Sequence, residues 1–219
     1  MSDTIAAIST AIGEAGIGIV RMSGKDSFDI GDKIFKGKKV ESLKDVENRK
    51  LTYGHIIDPD TNQVIDEVLI ACMKEPYTYT RENMVEIYCH GGIIAVKKVL
   101  ELLLNNGARL AEPGEFTKRA FLNGRLDLAQ SEAVIDVIRA KTDKSLQVSI
   151  NQLEGSLSVK VKDIMNIVLE MLAHINAAID FSEDDLEDVD YEKLEKKALE
   201  VEDQIKKLLN TADRGKILR

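Results

Sequence analysis

The sequence has no tryptophan and few aromatic residues, cysteines or prolines. Aromatic residues make up 5% of the 219 positions and hydrophobic residues 44%, so the core must be mostly aliphatic. Two cysteines and three histidines are too few for a disulfide framework or an evident zinc site, and they suit a reducing cytoplasm. The net charge of -8 excludes the overall cationic field that is typical of nucleic-acid-binding domains. No uncharged apolar run approaches the roughly 20 residues of a membrane span, and the N-terminus does not resemble a signal peptide.

Glycine and proline are unevenly distributed along the chain. All three prolines and 11 of the 14 glycines precede residue 120. Because these residues are the main breakers of regular structure, the first part should be turn-rich and mixed, and the remainder helical. We therefore predict an α+β protein. Residues 1–118 should form an N-terminal domain with a mixed sheet, and residues 119–219 a domain of long helices.

Local patterns predict the elements of both domains. Predicted strands cover Thr4–Thr10, Ile17–Met22, Leu51–Ile57, Val64–Met73 and Met84–Cys89, and predicted helices cover Ser27–Phe35, Ile93–Asn105 and Leu128–Ala140. Asp58–Asn62 has the composition of a hairpin turn, and Gly107 that of a helix C-terminal cap. Apolar residues spaced by three and four from Leu146 to Ile175, and again from Tyr191 to Ala212, predict two long helices packed side by side.

The glycine-rich segment Gly13–Gly18 has the order G-x-x-G-x-G and precedes a second strand. A dinucleotide-binding loop has the order G-x-G-x-x-G between a strand and a helix, so the match is poor. We interpret the segment as a tight strand connection that needs positive φ angles, with an anion cradle as the alternative. No stretch matches G-x-x-x-x-G-K-[ST], so this chain should not bind or hydrolyse GTP or ATP through a P-loop.

Two further clusters suggest chemistry but have simpler explanations. Cys89 and His90 look like a nucleophile and its base, yet strand neighbours point to opposite faces, which favours a buried cysteine beside a turn histidine. Together with His55 and Cys72 they lack the usual spacing of metal ligands. Residues 180–192 contain eight acidic and no basic residues, which indicates a solvated turn or, alternatively, a contact for a basic partner.

Arg21, Glu86 and Arg125 are the most informative charged residues. Glu86 lies in the otherwise apolar strand Met84–Cys89, so its carboxylate must be either exposed or paired. Arg21 shares a strand face with apolar residues, and Arg125 lies in a predicted turn before a helix. Taken singly, each is more often a surface charge, and nothing in the spacing brings the three together.

Several segments, taken together and in order, resemble the start of the bacterial tRNA modification GTPase family known as MnmE or TrmE. They are Asp3–Ile5, Gly16–Gly24, Tyr79–Gly92, Glu112–Gln130, Leu153–Leu157 and Ile179–Phe181. The most specific is the Pro-Gly-Glu-Phe-x-x-Arg-Ala-Phe-Leu-Asn block at Pro113–Asn123. The resemblance extends from Thr4 to Arg219.

The resemblance implies a fold, a cofactor and partners. In that family an N-terminal domain binds a tetrahydrofolate derivative, formyl- or methylene-tetrahydrofolate, and forms the homodimer. A helical domain follows, with a GTP-binding domain inserted into it. With the FAD-containing partner MnmG, the family modifies the wobble uridine of certain tRNAs in the cytoplasm. The family's folate contacts correspond to Arg21, Glu86 and Arg125, the last of which is lysine in many relatives.

The resemblance also implies what this sequence does not contain. Thr211–Arg219 is similar to the segment that leads into the GTP-binding domain, and the terminal Cys-x-Gly-Lys of the family is absent. We therefore expect a truncated chain, inactive as a GTPase, with no catalytic residues, no metal ligands and no sites for GTP, magnesium or potassium. Two alternatives remain: a free-standing folate-dependent aminomethyltransferase, and a helical interaction scaffold without a ligand.

Overall fold

The computed structural model describes residues 3–38, 40–180 and 190–216. The chain divides into two compact units, Met1–Leu126 and Asp127–Arg219. Lys118, at the predicted domain boundary, lies inside helix α3 (Glu115–Leu122) of the first unit. No helix in the described ranges is long and apolar enough to cross a membrane.

A seven-stranded sheet forms the centre of the first unit. Its strands are β1 (Ile5–Ile8), β2 (Ala15–Ser23), β3 (Phe35–Gly37), β4 (Leu51–Ile57), β5 (Val64–Met73), β6 (Met84–Gly91) and β7 (Arg109–Leu110). They lie in the order β3-β4-β5-β6-β2-β1-β7. β1 and β7 are parallel and the other neighbours antiparallel, which confirms the predicted mixed sheet and α+β class.

The two faces of the sheet differ in burial because side chains alternate along each strand. On one face Val20, Ile70 and Ile87 are at most 1% exposed and join the hydrophobic core. Helices α1 (Ser27–Ile34) and α2 (Ile93–Asn105) contribute residues to the same core. The alternate residues form what we call the open face. It includes the half-buried or exposed residues Ile17, Ile19, Arg21, Tyr53, Leu69, Glu86 and Tyr88.

Several predicted elements are found with the predicted bounds. They are β4, β5 and α2, with the hairpin turn between the two strands. Gly107 follows α2 with φ +119°, and its N–H donates to the Leu104 carbonyl, as expected for a C-terminal cap. The β-branched residues of the hairpin strands, the turn between them and the apolar period of α2 are local signals that predict these elements.

The glycine-rich segment does not have the predicted backbone conformation. Gly16 and Gly18 lie within β2, and neither they nor Gly13 have a positive φ. At Gly18 the requirement is space, because a Cβ there would clash with the Val96 side chain of α2. The absence of a side chain therefore lets the helix approach the sheet closely, and the segment is not a tight connection with positive φ angles.

The described residues of the second unit form four helices: α4 (Leu128–Arg139), α5 (Asp143–Leu153), α6 (Ser156–Asp180) and α7 (Tyr191–Lys216). The seam predicted as one helix from Leu146 to Ile175 is broken at Gly155, which has φ +90°. Glycine adopts this left-handed conformation easily, so the chain stops one helix and starts another without losing the apolar spacing. α6 and α7 pack together as predicted, with Lys197 Nζ 2.9 Å from Glu170 Oε2.

Candidate ligand-binding site

Arg21 and Glu86 form an ion pair on the open face. They are direct neighbours across β2 and β6, and the Arg21 Nε donates to Glu86 Oε1 over 2.8 Å. A second guanidinium nitrogen lies 2.7 Å from the same oxygen. The Glu86 side chain is 13% exposed, so its carboxylate is paired, which was one of the two possibilities left open by the sequence.

Tyr88 supplies the second partner of the Glu86 carboxylate. Its hydroxyl donates to Glu86 Oε2 over 2.7 Å from two residues along the same strand. Burial, together with the hydrogen bond to the carboxylate, raises the pKa of Tyr88 to about 12. The phenol therefore stays protonated at neutral pH and remains a donor. Arg21 and Tyr88 together orient the Glu86 carboxylate.

Two guanidinium groups lie against the ring of Tyr79. The Arg21 Cζ is 5.9 Å from the ring centroid, and the Arg125 Cζ is 4.7 Å from it. Both distances are within the range of cation–π attraction. The Tyr79 hydroxyl is 2.9 Å from the Thr117 hydroxyl on helix α3 (Glu115–Leu122). Phe116 of the same helix lies against Arg21 at 5.7 Å.

Arg125 lies in the turn between α3 and α4, as the sequence predicts. Gly124 before it has φ +72°, and the Arg125 N–H donates to the Ala120 carbonyl at the end of α3. Within the described part of the chain, no carboxylate lies within ion-pair distance of Arg125, whereas the charge of Arg21 is balanced by Glu86. The site thus combines an oriented carboxylate with an uncompensated guanidinium, an arrangement suited to a ligand with hydrogen-bond donors and an anionic group.

The three candidate residues come together through Tyr79. Arg21 and Glu86 are in direct contact, and the guanidinium groups of Arg21 and Arg125 both lie against the Tyr79 ring. Sequence reasoning missed the contributions of Tyr79, Tyr88, Phe116 and Thr117. The spacing of Glu86 and Tyr88 on one strand face was visible in the sequence, but no local signal places a residue of the loop between β5 and β6 next to α3.

A buried ion cluster lies at the base of α3. Arg119 is 1% exposed, and its guanidinium donates to the carboxylates of Glu115, Glu82 and Asp3 over 3.0–3.2 Å. Arg109 adds hydrogen bonds to Glu115 and Asp3. The Arg109 hydrogen bond is the main cause that lowers the pKa of Glu115 to about 2. Three carboxylates and two guanidiniums therefore join the N-terminus, the β5–β6 loop and α3.

The cysteines and histidines do not form a nucleophilic site. Burial raises the pKa of the Cys89 thiol to about 11, and its Sγ lies 3.3 Å from the Gly18 carbonyl. His90 lies on β6 rather than in the predicted turn, and its Nδ1 is 2.6 Å from Asp66 Oδ1. In the ranges that the structure describes, no three His, Cys, Asp or Glu side chains are grouped as metal ligands. Most of the acidic stretch 180–192 lies outside the described residues.

Comparison with known proteins gives two family matches. Residues 4–125 match the family described as GTP-binding protein TrmE N-terminus, and residues 128–219 match the MnmE helical domain. Proteins described as tRNA modification GTPase MnmE from Alkaliphilus oremlandii and Alkaliphilus metalliredigens are 60% and 58% identical to the chain over 219 residues. Each match covers 100% of this chain and 48% of the relative. The chain therefore spans about half the length of the curated relatives it matches.

Proposed function

The chain belongs to the TrmE N-terminus family, and from this premise we propose that it binds a reduced folate at Arg21, Glu86 and Arg125. The ligand is formyl- or methylene-tetrahydrofolate, which supplies a one-carbon unit when bound. The observation that carries the proposal is the convergence of the three residues around Tyr79 from β2, β6 and the turn after α3. The resemblance in sequence singled out the same three residues before their positions were known.

The Glu86 carboxylate suits the pterin end of a folate. The aminopyrimidinone edge of a pterin presents parallel N–H donors, which a carboxylate accepts in a bidentate arrangement. Tyr88 donates one hydrogen bond to Oε2, whose second lone pair is open to a ligand donor, whereas Oε1 faces two nitrogens of Arg21 at 2.8 and 2.7 Å. These two donors also hold the carboxylate in place before a ligand arrives, which reduces the cost of ordering the site on binding.

Arg125 suits the opposite end of the ligand. The glutamyl tail of a folate carries carboxylates, and Arg125 is the guanidinium of the site whose charge no described carboxylate balances. Its contact with the Tyr79 ring restricts the side chain without neutralising it. We therefore assign the glutamyl tail to Arg125 and the pterin to Glu86.

The tail assignment predicts different effects for two substitutions of Arg125. Arg125→Ala should weaken binding of formyl-tetrahydrofolate by about 1.5–3 kcal/mol, because a charge-assisted contact is lost. Arg125→Lys should have a mild effect, since an ammonium keeps the charge although it changes the donor geometry. Isothermal titration calorimetry measures both, with Arg139→Ala on the exposed end of α4 as a control that removes the same charge elsewhere. Equal affinities for Arg125→Ala and Arg139→Ala would contradict the assignment.

We also propose that the chain acts within a longer tRNA modification GTPase. In such a protein the GTP, magnesium and potassium sites belong to a further domain, and the partner is the FAD-containing MnmG, with tRNA as the substrate in the cytoplasm. The names of the relatives favour this role over a free-standing aminomethyltransferase or a scaffold without a ligand. The folate-binding and dimerisation functions then belong to the first unit, and the second unit provides part of the helical domain.

Homodimerisation is the last part of the proposal. The open face exposes large apolar side chains that include Ile17, Tyr53 and Leu69, which are 61%, 41% and 39% exposed. Contiguous apolar surface of this kind typically marks an interaction site. We expect light scattering to give twice the mass of the chain at micromolar concentration. Leu69→Glu should shift the mass toward the monomer, whereas Leu199→Glu, at an exposed position of α7, should leave it unchanged. A monomeric parent chain would refute the dimer.

A further inference from the structure

Arg119 is fully buried, yet it does not contact the proposed ligand site directly. Its guanidinium donates to the Asp3 backbone carbonyl and to the carboxylates of Asp3, Glu82 and Glu115. Glu115 is on the same helix as Arg119, whereas Glu82 belongs to the β5–β6 loop. Arg119 therefore fixes α3 to the loop that carries Tyr79.

The β5–β6 loop is attached to α3 on its buried side through Glu82. One nitrogen of Arg119 lies 3.2 Å from both oxygens of Glu82, and the Ser23 hydroxyl donates to Glu82 Oε2 over 2.7 Å. Arg81, next to Glu82, has a φ of +59°, a conformation that is unfavourable for a residue with a side chain. The loop is thus held in a strained arrangement by contacts on its buried side.

The same loop and helix carry the parts of the ligand site that sequence reasoning missed. Tyr79 is three residues from Glu82, and Phe116 and Thr117 precede Arg119 by one turn or less. The turn after α3 is linked to the loop by two hydrogen bonds, from Asn123 Nδ2 to the Thr80 carbonyl and from Arg81 to the Asn123 carbonyl. Arg125 follows this turn, so the loop, the turn and the end of α3 together determine how closely the Tyr79 ring approaches Arg125.

We infer that Arg119 is a positioning residue for the ligand site: through Glu82 it sets the placement of the Tyr79 ring against Arg21 and Arg125. This inference rests on the proposed function for its consequence, since the placement of Tyr79 governs where the Arg125 guanidinium meets the ligand. In metal centres, groups outside the site orient the metal-binding residues, and removing such a group lowers the metal affinity about 10–100-fold.

Arg109 provides a comparison that separates positioning from stability. It contacts Asp3 and Glu115, two of the carboxylates that Arg119 contacts, and its bonds to Glu115 are as short as 2.6 Å. It has no bond to Glu82 or to any other residue of the β5–β6 loop in the described ranges. Removing Arg109 therefore weakens the ion cluster but leaves the link between loop and helix in place.

For the test, 3-fluorotyrosine replaces the five tyrosines of the chain. Fluorine NMR then follows the resonance of Tyr79, which is assigned by its loss in the Tyr79→Phe variant. Two variants break the link from its two sides: Arg119→Lys keeps a positive charge but cannot span three carboxylates, and Glu82→Gln keeps the shape of the loop residue. Arg109→Met is the matched control. Calorimetry with formyl-tetrahydrofolate gives the affinity of each variant.

We expect Arg119→Lys and Glu82→Gln to shift the Tyr79 resonance of the ligand-free chain and to weaken formyl-tetrahydrofolate binding by roughly tenfold. Arg109→Met should lower the stability but change neither the resonance nor the affinity. The inference is overturned if both link variants keep the parent resonance and affinity, or if Arg109→Met shifts the resonance as much as they do. A parent chain that binds no folate refutes the proposed function, while the ligand-free resonances still decide whether Arg119 positions Tyr79.

Discussion

Glu86→Ala is expected to weaken binding of formyl-tetrahydrofolate by about 2–5 kcal/mol, the range typical for removing one partner of a buried charged contact. The substitution leaves the pterin donors without an acceptor, and it also removes the partner of Arg21. Glu86→Gln should bind poorly as well, because an amide replaces one acceptor oxygen with a donor. Isothermal titration calorimetry of the folded variants measures both effects.

A neighbouring carboxylate provides the control for this experiment. Glu67 is an exposed residue of β5, and Glu67→Ala removes the same charge from the adjacent strand. Its effect on folate affinity should be small, since long-range electrostatics at an exposed position are screened by salt. If Glu86→Ala binds the ligand as tightly as Glu67→Ala does, the assignment of the pterin contact is wrong.

The largest effect on stability is expected at Glu115. Its pKa is lowered from 4.5 to about 2, chiefly by the hydrogen bond from Arg109. A carboxyl group with a lowered folded-state pKa stabilises the fold fully above its unfolded pKa, and this stabilisation disappears as the pH falls through the folded value. The shift corresponds to about 3 kcal/mol of unfolding free energy at pH 7.

Glu115→Gln should therefore lower the free energy of unfolding by about 3 kcal/mol at neutral pH, because two guanidiniums lose their shared carboxylate. The difference between parent and variant should shrink as the pH falls from about 4.5 toward 2, where the parent carboxyl becomes protonated. Urea denaturation at several pH values measures this. Glu112→Gln, at an exposed position three residues earlier, is the control and should unfold like the parent. A difference that does not depend on pH would show that the charge of Glu115 is not responsible.

The parts of the fold that follow from local periodicity were predictable from the sequence. β4 and β5 are rich in β-branched residues and are joined by a turn of suitable composition, so the hairpin needed no tertiary information. Gly18 and Gly155 illustrate what the sequence did not settle. Gly18 is required by the close approach of α2, a long-range contact, and Gly155 interrupts a helix while the apolar spacing around it continues. The spacing of apolar residues indicates which residues face a core, but it does not indicate a break between two helices that share the same spacing.

The candidate site was only partly predictable for the same reason. The apolar strand left the Glu86 carboxylate either exposed or paired, and the identity of its partner depends on the register of β2 against β6. The place of Arg125 depends on the turn after α3 and on a loop that is more than 40 residues earlier in the chain. The resemblance to a family named the three residues, whereas Tyr79, the residue that brings them together, emerged only from the structure.

Fluorine NMR of the 3-fluorotyrosine-labelled chain, titrated with formyl-tetrahydrofolate, tests most directly whether the ligand binds at this site. Tyr79 and Tyr88 contact the three proposed binding residues, whereas Tyr191 is at the start of α7 in the other unit. The account predicts that the resonances of Tyr79 and Tyr88 shift and reach saturation while that of Tyr191 stays constant. Saturable binding that leaves both Tyr79 and Tyr88 unchanged, or no binding at all, would contradict it.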